Sequence, residues 1–409
     1  MLKQLSSSKE GRVLDIDMLL SSPEELEREG YEHIKEGKLK DGIKLLVRAA
    51  KKYEEVRELR KAANLYKEAG LILKDKLGLK EHAKPLMRRA AYLYIRLIEN
   101  EVDKEEVNLG RLTMWCINVI EAFTFLKDEE NTKKYAREFA KMFEDLGANY
   151  LEAGETDSAV VAYESAYRYY DLIGDKDGIQ RTAGKLVEIF GEIAEEAISD
   201  ERYEDSGEAF EKVANYIKAI FGYDERYMEL METAGKHYEK ASKLSYAEGN
   251  LEDLTRLLLK AQYSYLLARN FSRANLIGLN LVKMLNQLVN SLRSEGSFEK
   301  VGEKLMEFAE TLIALGKIEN AIKVYREALE ESGGLIDLRA RIRVSIIKYL
   351  AAKERSLKLL RTLDAIDFLI KHAKFLDAID LAEKTIMEHE EGEKILKDIY
   401  KAEGIEFSE

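Results

Sequence analysis

The sequence predicts an all-α fold, a right-handed α-α superhelix of about 16–18 antiparallel helices stacked as consecutive hairpins. The chain of 409 residues contains only two prolines, Pro23 and Pro85, so the commonest helix breaker is almost absent. Apolar residues recur at helical spacing, as in Phe139, Phe143 and Leu146. Turn-forming residues divide the chain into segments of helical length, which together favour a helical repeat over compact globular domains.

The predicted turns contain Gly, Asp or Asn. They fall near Gly37, Gly78, Asp128, Gly154, Gly174, Asp200, Gly222, Gly249, Asn270, Gly296, Gly316 and Gly333. The first helix is predicted to begin at Ser22-Pro23-Glu24-Glu25, where serine can cap the helix, proline suits its first position and Glu25 can complete a capping box.

Three regions are expected along the chain. Residues 1–22 are predicted to be a loosely ordered N-terminal segment, and residues 23–332 to be the main array of helical hairpins. Adjacent glycines at Gly333-Gly334 stop a helix. Residues 335–409 are therefore expected to form C-terminal helical hairpins that pack on the array.

Two stretches repeat one pattern of large apolar, small and aromatic residues. One consists of Phe143, Leu146-Gly147, Tyr150, Gly154, Ala159, Tyr163 and Ala166; the other of Leu305, Phe308-Ala309, Leu312, Gly316, Ala321, Tyr325 and Ala328. The pattern resembles the tetratricopeptide (TPR) family. Turn anchors at Gly154, Glu201 and Gly249 lie 47 and 48 residues apart, beyond the 34 residues of that repeat. Such elongated hairpins are similar to the soluble NSF attachment proteins (SNAP-like).

Composition narrows the classes of function. The net charge of −12 should repel nucleic acid and anionic lipid. A single cysteine, Cys116, fits a reducing compartment, so we expect a cytoplasmic protein. Abundant Lys and Glu suggest a thermophile as the source. The most apolar segment, from Leu112 to Leu126, is predicted to be a buried helix too short to cross a bilayer.

No catalytic, cofactor-binding or metal-binding site is predicted. The dipeptides Gly37-Lys38, Gly184-Lys185 and Gly316-Lys317 lack the hydroxyl residue and the preceding glycine of a phosphate loop. The five histidines are scattered singly, whereas a helical zinc site needs two on one face. The sequence therefore favours binding over catalysis.

The TPR resemblance implies a scaffold or adaptor that binds a peptide or protein partner in a groove lined by the first helix of each hairpin. Carried onto this sequence, that rule selects Lys141, Glu144, Leu151, Glu188, Glu195, Lys236, Lys243 and Tyr246. The chaperone-tail clamp of the family requires Lys, Asn and Arg, whereas Glu27, Glu144 and Glu239 occupy one such position here. The alternative is that these charges only form i,i+4 pairs on solvated faces.

The segment 339–361 departs from the acidic trend. Arg341, Lys348 and Arg355 recur every seven residues, so a continuous helix would present them as one row. The alternative function is therefore a regulatory protein that binds nucleic acid or another polyanion through this row. The competing interpretation is that acidic neighbours, such as Glu327, Glu330, Glu331 or Asp377, neutralise it.

Overall fold

The computed structural model describes residues 21–333, 336–371 and 373–407, without the side chains of residues 298 and 299. The described residues form 18 α-helices and no strand, which confirms the predicted all-α class and helix number. The predicted N-terminal segment lies outside these residues, except for Ser21 and Ser22. The residue contacts divide the chain into two compact units, one ending at Thr182 and the other beginning at Ala183.

The helices follow one another with short turns. They are α1 (Pro23–Lys35), α2 (Leu39–Glu55), α3 (Leu59–Asp75), α4 (Lys80–Val102), α5 (Leu109–Leu126), α6 (Glu129–Glu152), α7 (Thr156–Ile173), α8 (Lys176–Ser199), α9 (Tyr203–Phe221), α10 (Glu225–Ala247), α11 (Leu251–Leu267), α12 (Phe271–Ser294), α13 (Phe298–Ala314), α14 (Ile318–Ser332), α15 (Ile336–Glu354), α16 (Leu357–Lys371), α17 (Phe375–Met387) and α18 (Gly392–Glu403). Helix α8 contains the division between the two units.

The helix ends follow the local chemistry that the sequence predicted. Ser22 forms the capping box with Glu25, and Pro23 occupies the first turn of α1. Asp128 and Asn270 accept hydrogen bonds from backbone amides of α6 and α12, which satisfies otherwise unpaired donors. Gly154 has φ +76°, a left-handed conformation that glycine adopts without steric cost.

Small residues let the two helices of a hairpin approach closely. A Cβ atom built on Gly147 of α6 would lie 2.8 Å from the ring of Tyr163 in α7, and one on Gly30 of α1 would lie 2.7 Å from Leu46 in α2. Both pairs are 16 residues apart, so the TPR-like pattern places a small residue under a large one at equivalent points of two hairpins. Each glycine is needed in its own hairpin, because adding a side chain to a well-packed core is destabilising.

Helix α5 was expected to be buried and too short to span a membrane. It is 18 residues long, and within the described residues it is the one helix with the length and composition to cross a bilayer; 39% of it is buried. The length argument was therefore wrong, because the helix begins at Leu109. Its polar groups face Lys67, whose ammonium donates to Asn118 Oδ1 (2.7 Å) and Glu121 Oε2 (2.8 Å), and α5 packs against α4.

In the second unit, α15 lies at the centre of the helices around it. It packs against α11, α13, α16 and α17, and every residue from Ile342 to Ile347 is buried. A helix buried around its whole circumference has no apolar stripe to reveal it in the sequence. Part of the surface of α11 and of α13 is thus covered by α15.

Candidate partner-binding surfaces

A glutamate, a tyrosine and a cation recur together at the junctions between hairpins. In the first unit the Tyr170 hydroxyl donates to Glu144 Oε2 (2.6 Å), while Arg181 Nε donates to Glu144 Oε1 (3.0 Å). The Arg181 guanidinium also lies over the Tyr170 ring, 5.6 Å from its centroid. The group joins α6, α7 and α8 with charge-assisted hydrogen bonds.

Two further groups have equivalent positions. Tyr53 donates to Glu27 Oε2 (2.8 Å), and the Lys61 ammonium lies 4.8 Å from the centroid of the Tyr53 ring. In the second unit, Arg273 Nε donates to Glu239 Oε1 (2.8 Å), and Tyr265 hydrogen-bonds to the same carboxylate. The tyrosine follows the glutamate by 26 residues in all three groups, so this is a repeated structural contact between hairpins.

The electrostatics of these groups match their contacts. Burial opposes ionisation of Glu144, but hydrogen bonds from Arg181 and Tyr170 outweigh it and hold the pKa of the carboxyl below its ordinary value. Burial and the Glu144 carboxylate raise the pKa of Tyr170 to about 12. The pKa of Glu239 is lowered in the same way by Arg273 and Tyr265, against the opposing effect of burial. Glu144 and Glu239 are therefore ionised, and each is already paired with residues of this chain.

The eight predicted partner-binding residues are divided between the two units. Lys141, Glu144 and Leu151 belong to the first unit, whereas Glu188, Glu195, Lys236, Lys243 and Tyr246 belong to the second. Lys141, Glu195 and Lys243 are exposed, Leu151 is half-buried, and Tyr246 is 69% exposed. Glu188 pairs with Lys185 (2.7 Å) and Lys236 with Glu232 (2.9 Å). These two residues thus fit the alternative in which the charges only form pairs along their own helix.

An exposed surface that the sequence interpretation missed lies on α12. Leu276 and Leu279 of this helix are 50% and 51% exposed, and Lys283 is exposed one turn further on. The Arg273–Glu239 contact links this helix to α10, which carries Lys236, Lys243 and Tyr246. We call these three residues of α10, with Leu276, Leu279 and Lys283, the α10/α12 surface.

The charge of α12 differs from that of the other long helices. Helices α6, α8 and α10 contain six, five and four carboxylates, whereas α12 contains none in 24 residues. The absence of carboxylates in a chain with 77 Asp and Glu was the available sequence signal. Exposed leucines on a helix without acids of its own distinguish α12 from these three helices.

The predicted basic row is not an open surface. Arg341 Nη1 donates to Glu303 (2.7 Å) and Nη2 to Glu310 (2.8 Å), while the Lys348 ammonium lies 5.3 Å from the centroid of the Tyr263 ring. Helix α15 ends at Glu354, so Arg355 lies in the following turn with φ +56°. The row was predicted on the condition that the helix continues; because the helix ends before Arg355, the three residues do not form one continuous face.

The cations of α15 are neutralised by acids other than those expected. Arg343 is buried and donates to Glu383 Oε1 (2.8 Å) and Glu403 Oε1 (2.7 Å). Glu327 and Glu331, named as candidate neutralising residues, instead contact Arg293 of α12. These contacts lend no support to the polyanion-binding hypothesis.

One serine–histidine contact resembles a nucleophile and base, and nothing in the sequence indicated it. Ser206 Oγ lies 2.7 Å from His237 Nδ1. Both residues are buried, and the His237 ring packs 5.2 Å from that of Phe210. Burial lowers the pKa of His237. The pair is therefore a buried contact between α9 and α10.

The fold and contacts define the class: this is a TPR-like helical repeat protein. No protein-family model and no curated protein matches the sequence. Similar solved structures include a circular tandem repeat protein with novel repeat topology and enhanced subunit contact surfaces, at 16% identity over 93% of this chain and 89% of that chain, with a TM-score of 0.27. Yeast Tom70 is 16% identical over 93% and 95% (TM-score 0.17), and the structure of Naa15/Naa10 bound to HypK-THB gives 12% over 93% and 78% (TM-score 0.19).

These TM-scores are low, so the fold assignment depends on the chain's own helices and on the close contacts at Gly30 and Gly147. The resemblance to soluble NSF attachment proteins stays a prediction.

Proposed function

We propose that this protein is an interaction scaffold or adaptor, that it binds a protein partner through the α10/α12 surface, and that it acts without catalysis. The observation that carries the proposal is the pair of half-exposed leucines, Leu276 and Leu279, on a helix without carboxylates. Exposed apolar side chains on a repeat surface favour binding of another protein.

The proposed surface differs from the predicted groove. In the second unit α15 packs against α11 and α13, and Glu239 is engaged by Arg273. The predicted residues of α10, Lys236, Lys243 and Tyr246, are exposed, and α10 contacts α12 through Glu239 and Arg273. A tyrosine that is 69% exposed supplies a large contact area at low entropic cost. We place this role in the cytoplasm, in keeping with the single buried thiol of Cys116.

The test is quantitative affinity capture from extracts of the native source with the full chain and two matched variants. Leu276→Ser with Leu279→Ser removes the exposed leucines, and Leu172→Ser removes a leucine of α7 that is 55% exposed. We expect a partner that is retained by wild type and Leu172→Ser and lost from the double variant. Equal recovery on all three baits, with circular dichroism showing each one folded, would contradict the proposed surface.

A further inference from the structure

Six exposed side chains of α12, flanked by the exposed amides of Asn275, Asn280 and Gln287, follow the spacing of a coiled-coil seam. The six recur at alternating intervals of four and three: Ser272, Leu276, Leu279, Lys283, Asn286 and Asn290. We call this set the α12 stripe. A seam with this 3.5-residue repeat is the pattern with which one helix packs along another. It extends over about 27 Å, at 1.5 Å per residue.

We infer that the α12 stripe binds an amphipathic helix of a protein partner, side by side, with a carboxylate of that helix opposite Lys283; this rests on the proposed function. The buried side of α12 is already occupied, because Ile277, Leu281 and Leu285 lie in the core of the second unit. Leu276 and Leu279 therefore lie on a second, exposed face of the helix. Packing within the chain does not account for these two leucines.

The charges around the α12 stripe favour a partner with negative charge. Lys283 is exposed and makes no ion pair within the described part of the chain, whereas Arg273 and Arg293 at the two ends are paired with glutamates. No carboxylate of α12 itself competes for Lys283. In a chain of net charge −12, this face is a local exception to the repulsion of acidic partners.

The two amides at the end of the stripe suggest how the register of the partner is fixed. Asn286 and Asn290 occupy seam positions, where a polar side chain favours one alignment of the helices at some cost in affinity. The two leucines supply the apolar contact, Lys283 the charge, and the amides the register. A lysine-rich partner would meet Lys283 with the same sign.

The test uses three synthetic 21-residue peptides and the full chain, with fluorescence anisotropy as the readout. The acidic peptide has leucine at both seam positions of each heptad and glutamate at the flanking positions. The basic peptide has lysine at the flanking positions, and the third peptide is the acidic one with serine in the seam. We expect the acidic peptide to bind about tenfold more tightly than the basic one, and the serine peptide not to bind.

Variants of the chain separate the contributions. Leu276→Ser with Leu279→Ser should weaken binding of the acidic peptide by about 30-fold, equal to roughly 2 kcal/mol, whereas Leu172→Ser should leave it unchanged. Lys283→Glu should reverse the preference, so that the basic peptide binds more tightly. Because Lys283 is exposed, this variant is expected to fold, and circular dichroism checks that it does.

Several outcomes would overturn the inference. Equal binding of acidic and basic peptides would show a non-specific apolar surface, and unchanged preference in Lys283→Glu would remove the charge argument. Sedimentation that shows a dimer of the full chain, dissociated by the double leucine variant, would make the stripe a contact between copies. If no peptide binds while the captured partner still depends on Leu276 and Leu279, the helix inference fails and the proposed scaffold function stands.

Discussion

The first prediction concerns Glu144, which the sequence nominated for partner binding and the structure places in a contact between hairpins. Replacing it with alanine removes the charged acceptor of the buried Tyr170 hydroxyl, worth ~1.5–3 kcal/mol. It also removes the Arg181 pair; because Arg181 is 56% exposed, water screens that pair to ~0.5–1 kcal/mol. Glu144→Ala is therefore expected to lower the free energy of unfolding by about 2–4 kcal/mol.

The assay is urea denaturation followed by tryptophan fluorescence. The chain has one tryptophan, Trp115, which is 7% exposed and belongs to the same unit as Glu144. The matched control is Glu138→Ala on α6, an exposed glutamate without an ion pair in the described residues, whose effect should stay within about 0.5 kcal/mol.

A double-mutant cycle with Tyr170→Phe isolates the contact itself. Tyr170→Phe alone should cost about 1 kcal/mol, and the double variant should cost less than the sum of the single ones by at least ~0.5 kcal/mol. A Glu144→Ala effect no larger than that of Glu138→Ala, or strict additivity, would refute the structural role and return Glu144 to the candidate partner-binding residues.

Three further predictions test other features. Gly147→Ala should destabilise the first unit by ~1–3 kcal/mol, because its Cβ meets the Tyr163 ring. Gly184→Ala, whose Cβ meets nothing within 4 Å, should stabilise α8 by up to ~1 kcal/mol. Thermal denaturation measures the stability change of each variant. Changes of the same sign in the two variants would contradict the described packing. Arg343→Met leaves Glu403, whose side chain is 2% exposed, without its cationic partner and should cost ~3–5 kcal/mol. The exposed Arg326→Met should cost less than ~0.5 kcal/mol; equal urea midpoints would show that the buried pair is unimportant. Burial lowers the pKa of His237, so the unfolded chain takes up a proton more readily and stability falls as the pH drops from about 7 through the ordinary histidine pKa of about 6.5. His237→Gln should reduce this dependence of the free energy of unfolding on pH, and the matched control is the exposed His82→Gln. Identical pH profiles of stability for the two variants would contradict the lowered pKa of His237.

The local signals in the sequence predicted the helices and most of their ends. Turns with glycine, such as that at Gly154, were identified because left-handed backbone favours that residue. The left-handed turns at Arg57, Arg355 and Ala373 carry no glycine, so composition did not reveal them. The missed turn at Arg355 is the reason that the predicted basic row was not a continuous helical face.

Contacts between residues that are distant in sequence leave no local pattern from which they could be predicted. Arg343 pairs with residues 40 and 60 positions away, and a buried helix such as α15 presents its arginines in the sequence like any solvated one. Recurrence of a tyrosine 26 residues after Glu27, Glu144 and Glu239 was visible, but its meaning required the packing of consecutive hairpins.

The α12 surface was missed for a different physical reason. Leu276 and Leu279 alternate along the sequence with Ile277 and Leu281, so an apolar face drawn through either pair fits helical spacing. Only burial separates the core pair from the exposed pair. The lack of carboxylates along α12 was the one sequence feature that distinguished this helix from α6, α8 and α10.

The most direct measurement is hydroxyl-radical footprinting of the full chain, alone and in complex with the partner obtained by affinity capture. Side-chain oxidation reports accessibility residue by residue. We expect the partner to protect Leu276 and Leu279 and to leave Leu172, on the other unit, as reactive as before. Unchanged oxidation of both α12 leucines in a complex that protects other helices would contradict the proposed binding surface.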